Sequence, residues 1–156
     1  MLRQAFAERL KEAMKARDAR TLATVRLILA TLKERDVAAR AEGRSEGIGE
    51  PEIHRMLQGM IKQRRESAAL YEKGNRPDLA GKEREEIAVI ESFLPQQMGE
   101  DEIAAAARAA IAETGAAGPK DIGKVMAVLR ARHAGAIDLG RAGAIVKRLL
   151  AGESRP

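Results

Sequence analysis

Apolar residues recur every three or four positions along most of this chain, the rhythm of one face of an α-helix. Leu2, Phe6, Leu10 and Met14 are spaced by four and predict a first helix over Leu2–Arg17. A break at Asp18–Thr21 leads into a second helix bearing Leu22, Val25, Leu29 and Leu32. Its outer face, with Lys33, Glu34, Arg35 and Asp36, reads as solvated surface. From Glu42 to Gly49 the run EGRSEGIG has three glycines and no apolar period, the pattern of a flexible loop. Glu50 and Pro51 open a long third helix, with Ile53, Leu57, Met60, Ile61, Ala68 and Tyr71 in one stripe. Gly74 suits a left-handed stop for it, and Pro77 suits the first turn of the next. The fourth helix carries the facing stripe Leu79, Ile87, Ile90 and Leu94, and Pro95 ends it.

One cation falls on this seam. Arg64 sits on the third helix's stripe, and Glu83 and Glu86 fall on or beside the stripe of the fourth. The placement predicts a structural ion pair between the helices, since burying Arg64 unpaired would cost roughly 3–5 kcal/mol. The neighbouring cations Lys62, Arg65 and Lys82 are expected to keep these carboxylates, Glu85 included, ionised, which suits a lock better than a general acid.

After Pro95 the composition changes. Glu100, Asp101 and Glu102 open an alanine-rich helix, where they complement its dipole. Two short helices follow, about Pro119–His133 with Ile122, Val125, Met126 and Leu129 inward, and about Arg141–Ala151 with Ile145, Val146, Leu149 and Leu150 inward. The expected fold is all-α: a four-helix N-terminal domain, 1–95, then a small three-helix tail domain, 96–156. Some 60 residues is marginal for independent folding.

Composition narrows the chemistry. The chain has 156 residues, 45% hydrophobic but only 2% aromatic, so the core must come from aliphatic side chains and alanine. It has no cysteine, which excludes disulfides and thiolate chemistry. No apolar run approaches the roughly 20 residues of a membrane helix, and no membrane partner is expected. The N-terminus is Arg-rich and amphipathic like a transit peptide, yet Glu8, Glu12 and Asp18 argue against one. A cytoplasmic protein is the expectation.

Catalytic patterns fail one by one. Gly118–Val125 nearly matches a phosphate loop, but Val125 replaces the required hydroxyl and the context is helical. His54 and His133 lack partners at ligand spacing, and no serine lies in a nucleophile elbow. No catalytic residue, metal site or cofactor is expected. What remains is charge. From Lys120 onward there are eight basic residues against three acidic, within a net charge of +5 for the chain. Lys120 and Lys124 share a face by i,i+4 spacing, and Arg141 and Arg148 by i,i+7. Such a patch can meet an RNA phosphate backbone, although no aromatic stacking platform accompanies it.

Several separated motifs occur together in order: TVRLILATLKERD from Thr24, IKQRRES from Ile61, then Tyr71, RPDL, EREEIAVIESFLP and DIGKVM from Asp121. Together they resemble the GatB/YqeY family, and more particularly its free-standing YqeY-like proteins. The tail is similar to the C-terminal domain of GatB, the amidotransferase subunit with kinase-like chemistry. The matching positions are Asp121–Met126, Gly135, Asp138, Val146 and Lys147. In that family the tail contacts the outer elbow of tRNA, while transamidation takes place in a separate cradle that this chain does not resemble. The resemblance implies a tRNA-associated accessory or adaptor, for which the basic residues Lys120, Lys124, Arg141, Lys147 and Arg148 are the candidate nucleic-acid contacts. The implied partners are tRNA and an amidotransferase or aminoacyl-tRNA-related protein, and DNA is not expected. The family label, carbon–nitrogen ligase with glutamine as amide donor, has no readable glutaminase or ATP site behind it here. The alternatives are a non-catalytic component of an amidotransferase complex, and a helical protein–protein adaptor without RNA. Where family members tend to have Gly-Arg-Ala-Asp-Gly, this chain reads Gly135-Ala136-Ile137-Asp138-Leu139, so the turn arginine is missing.

Overall fold

The computed structural model describes residues 1–152. Among them are seven α-helices and one short 3-10 turn, with no strand. The helices are α1 (Leu2–Ala16), α2 (Ala19–Ala41), α3 (Glu50–Lys73), α4 (Pro77–Glu91), α5 (Glu100–Thr114), α6 (Ile122–Arg132) and α7 (Leu139–Leu150), with the 3-10 turn at Pro119–Asp121 before α6. The chain divides into two compact units at Pro95/Gln96.

In the first unit, α1 and α2 form a tight hairpin. Asp18 is the N-cap of α2, accepting from the Thr21 N–H, so the helix starts at Ala19 and Thr21 lies inside it. The stripe of α1 turns out differently from a strict four-residue spacing. Phe6 and Ala13 are buried while Met14 is 55% exposed, because a 3.6-residue period drifts off a spacing of four. Phe6 meets Phe93 edge to face, ring centroids 4.8 Å apart, and the Arg9 guanidinium lies 4.9 Å over the Phe93 ring. The only two phenylalanines in the chain thus pin α1 to the segment after α4. The rest of this core is aliphatic, with Ile28, Ile53, Met56, Leu57 and Ile90 essentially closed to solvent.

The α3–α4 turn corrects one expectation. Gly74 has φ −82°, and the left-handed residue is Asn75 at φ 56°. Asparagine tolerates that region because its side chain is short and polar. The fourth helix also stops before the proline expected to end it, at Glu91, with Ser92 as its cap.

In the second unit, α5, α6 and α7 close around Ile103, Val125, Leu129, Ile137 and Val146, with Ala104, Ala107, Ala110 and Ala142 between them. Alanine at these positions lets helix axes approach closely and builds a core without aromatics. Glu102 caps its own helix by accepting from the Gly99 N–H, and Asp138 caps α7 through the N–H groups of Gly140 and Arg141. The segment from Gln96 to Met98 is tied to the turn before α7: Gln97 donates to the Gly135 carbonyl at 2.6 Å and the Met98 N–H to that of Ala136 at 2.9 Å.

Candidate functional site

The five cations singled out in the tail all lie exposed. Lys120 belongs to the 3-10 turn and Lys124 to the first turn of α6, so the continuous helix implied by their spacing is broken between them. Asp121 lies between the two. It accepts from the Ala117 N–H at 3.0 Å, which holds its carboxyl below the ordinary value, and its Oδ1 is 3.8 Å from the Lys124 ammonium. Charge at that end is therefore partly offset. On α7, Arg141 and Arg148 are seven residues apart and share a face, while Lys147 sits about 100° round the helix from Arg148. Among the described residues, no carboxylate contacts Lys120, Arg141, Lys147 or Arg148. The position of the missing turn arginine, Ala136, contributes its carbonyl to the hydrogen bond from Met98.

On the α3–α4 seam, Arg64 is 8% exposed. Its Nε donates to Glu86 Oε2 at 2.9 Å and its Nη1 to the Met60 carbonyl at 3.2 Å. The carboxylate that reaches it is that of Glu86, whereas Glu83, a turn earlier, makes no ion pair with it. Glu85 turns away to Arg20 of α2, Glu91 takes Arg65 at 3.4 Å, and Arg84 pairs with Glu72. These charges tie α4 to both α2 and α3.

A second buried charge, Asp36, stands where the sequence pattern implies solvated surface. Asp36 is 5% exposed. Arg3 grips it with two bonds, Nη1 to Oδ2 at 2.7 Å and Nη2 to Oδ1 at 2.8 Å, and Nη2 also donates to the Ile48 carbonyl at 2.8 Å. The Ile48 N–H returns to Asp36 Oδ1 at 2.9 Å. Hydrogen bonding from Arg3, above all, holds the Asp36 carboxyl down at about 2. The glycine-rich run is therefore anchored: Gly47 and Ile48 are buried, and Gly47 takes φ 81° with its ideal Cβ position 2.2 Å from Asp36 Oδ1. Asp36 is one of four consecutive charged residues, and 3.6-residue geometry turns it inward beside Leu32 and Ala39. That periodicity was the available signal.

An open cleft of about 540 Å³ lies over this knot, lined by Arg3, Arg44, Glu46, Ile48, Glu50 and their neighbours. Its cations are committed. Arg3 serves Asp36, and Arg44 makes a two-point pair with Glu52, whose carboxyl is held at about 2 mainly by that contact. The cleft reads as the outside of a structural clamp. Among the described residues no cluster of His, Asp or Glu could hold a metal ion, and no helix is long and apolar enough to cross a membrane.

The family profile described as Yqey-like protein matches residues 3–150. Among curated proteins, the chain is similar to "Altered inheritance of mitochondria protein 41, mitochondrial" of Vanderwaltozyma polyspora, 35% identical over 85 residues, which is 54% of this chain and 44% of that protein. The proteins of the same name from Candida glabrata and Lachancea thermotolerans are each 32% identical over 87 residues, 56% of this chain and 46% and 44% of theirs. Each match spans under half of the relative's length. These relatives are named as mitochondrial, which overturns the cytoplasmic expectation. Compartment is addressed by receptor-read leaders, and the composition of a folded helical body carries no such address.

Proposed function

The chain belongs to the YqeY-like family, related to the C-terminal domain of GatB, and on that premise we propose that it is a tRNA-associated adaptor. Its two units act as domains in this reading, a four-helix body at 1–95 and a three-helix tail from 96 that meets the phosphate backbone. The observation that supports it is the set of exposed tail cations. Lys120, Arg141, Lys147 and Arg148 stand in solvent without a carboxylate among the described residues, and Lys124 has only the loose contact to Asp121. Phosphate contacts of this kind position a nucleic acid and carry no base sequence.

The test is tRNA binding by the full chain across a salt series, with Lys120, Lys124, Arg141, Lys147 and Arg148 changed together to Gln. Affinity should fall alike for many tRNAs, and the slope of log affinity against log salt should flatten by about 0.7–0.9 for each phosphate no longer neutralised. Lys11→Gln with Lys15→Gln is the control on α1, and Arg9 is left alone because it lies over Phe93. Equal losses from both sets would mean diffuse charge only. No tRNA binding at low salt would end this reading in favour of a protein adaptor.

A further inference from the structure

Helix α2 is apolar on two opposite sides. One side, with Val25, Ile28 and Leu32, lies in the core. On the other, Ala23, Leu27, Ala30, Glu34, Val37 and Ala41 are all exposed, at alternating spacings of four and three. Leu27 is 45% and Val37 55% exposed. That spacing is the a/d seam of a coiled coil, running most of the length of the helix. A surface helix normally keeps polar residues opposite its core face, so a seam of this kind in solvent calls for a partner.

The charges beside the seam specify that partner. Arg26, Lys33 and Arg40 recur every seven residues, each directly before a seam position, and form one basic flank. Arg26 and Lys33 have no carboxylate among the described residues, and Arg40 donates only to the Ser45 carbonyl. The other flank is uncharged, with Thr31 and Ala38 beside the seam and Thr24 turned into the core. We propose that the outer face of α2 docks an amphipathic helix of another protein, whose apolar seam is bordered by Asp and Glu. Glu34 interrupts the stripe near its middle, so the partner carries one Lys or Arg opposite it, which sets register as a single polar seam residue does. A second copy of this chain fits poorly, because an antiparallel pair would bring the two basic flanks together and a parallel in-register pair would set Glu34 against its own copy.

The test uses the full chain and a labelled synthetic peptide of three heptads, with Leu at the seam, Glu on both flanks and Lys at the central seam position. A matched peptide exchanges the flanking Glu for Lys and the central Lys for Glu. Fluorescence anisotropy at low salt should show the acidic peptide binding about tenfold more tightly than the basic one. Arg26→Glu with Lys33→Glu should invert that preference, and Leu27→Asp with Val37→Asp should abolish binding of both. All four positions are exposed, and far-UV circular dichroism confirms that each variant is folded. Equal binding of both peptides, no binding of either, or binding indifferent to Leu27→Asp and Val37→Asp overturns the proposal. Self-association of the chain that Val37→Asp removes would also overturn it, by making the occupant a second copy.

Discussion

Asp36→Asn keeps the shape of a buried side chain and removes its charge. The carboxylate accepts three bonds, two from Arg3 and one from the Ile48 N–H. An amide oxygen at the Oδ1 position could keep two of them. The amide nitrogen would then face the Arg3 Nη1 donor, so a charged hydrogen bond becomes a donor–donor conflict. Losing a bond to a charged group costs about 1.5–3 kcal/mol. The depressed acidity provides a second measure: a carboxyl held at about 2 rather than near 3.9 contributes roughly 2.5 kcal/mol at neutral pH. The 3–5 kcal/mol typical of broken buried pairs is an upper bound here, because the Arg3 side chain is 41% exposed and can turn to water. The expected loss is about 2–3 kcal/mol, on the order of 10–20 °C in melting temperature for a unit of this size.

Urea unfolding followed by far-UV circular dichroism measures that loss, and pH identifies its source. A carboxyl more acidic in the folded than in the unfolded chain stabilises fully above the unfolded value, near 4, and loses its contribution as pH falls towards about 2. The gap between native and Asp36→Asn proteins should therefore be widest at pH 5–7 and close across roughly pH 4 to 2. A gap under about 0.5 kcal/mol at pH 7 would refute the clamp, since that is what exposed sites show. A gap that did not change with pH would assign the cost to packing rather than to charge.

Arg64→Ala should destabilise the first unit by about 3 kcal/mol, and Arg64→Met together with Glu86→Leu should cost much less, both by chemical denaturation. An unchanged melt for Arg64→Ala would refute the buried pair. Gly47→Ala and Gly43→Ala both place alanine at positive φ, at 81° and 92°. Only at Gly47 would the new methyl strike Asp36, so its melting temperature should fall well beyond the loss of about 1 kcal/mol expected at Gly43. Asn75→Gly should be neutral or slightly stabilising in the same melts, since φ 56° carries no penalty for glycine.

The helices were legible because their core stripes are long and aliphatic, and the Arg64 seam because a cation interrupts such a stripe. Asp36 was not, since local composition outweighed its angle on the helix: Lys33, Glu34 and Arg35 point outward and it does not. The glycine-rich run fared likewise. Ile48 is a single apolar residue in a polar stretch, with no period to reveal it, and its burial depends on a residue twelve positions earlier. Met14 shows the opposite error, an apolar residue placed inside by a spacing of four that the helix does not keep. Tail cations could be named individually, but whether they form one patch depends on the 3-10 break after Lys120 and on angles around α7.

The displaced acidities bear on what kind of function to seek. Asp36, Glu52, Asp78 and Asp121 are all held below their ordinary values, the first three by guanidinium partners and the last by backbone N–H bonding. A general acid needs the reverse, a carboxyl raised by burial away from cations. These four groups are structural anions whose charge is spent on holding helices and turns in place. The cations flanking the α2 seam and those of the tail also face solvent, with no carboxylate partner among the described residues beyond the loose Lys124–Asp121 contact. Recognition of anionic surfaces is what such groups can do, a phosphate backbone at one site and an acidic helix at the other. Because the two sets lie on different units, the paired charge reversals should separate them: Arg26→Glu with Lys33→Glu should leave tRNA affinity within about twofold. The five tail changes should likewise leave the acidic peptide bound. Loss of both activities from either set would show one diffuse basic surface and refute the division.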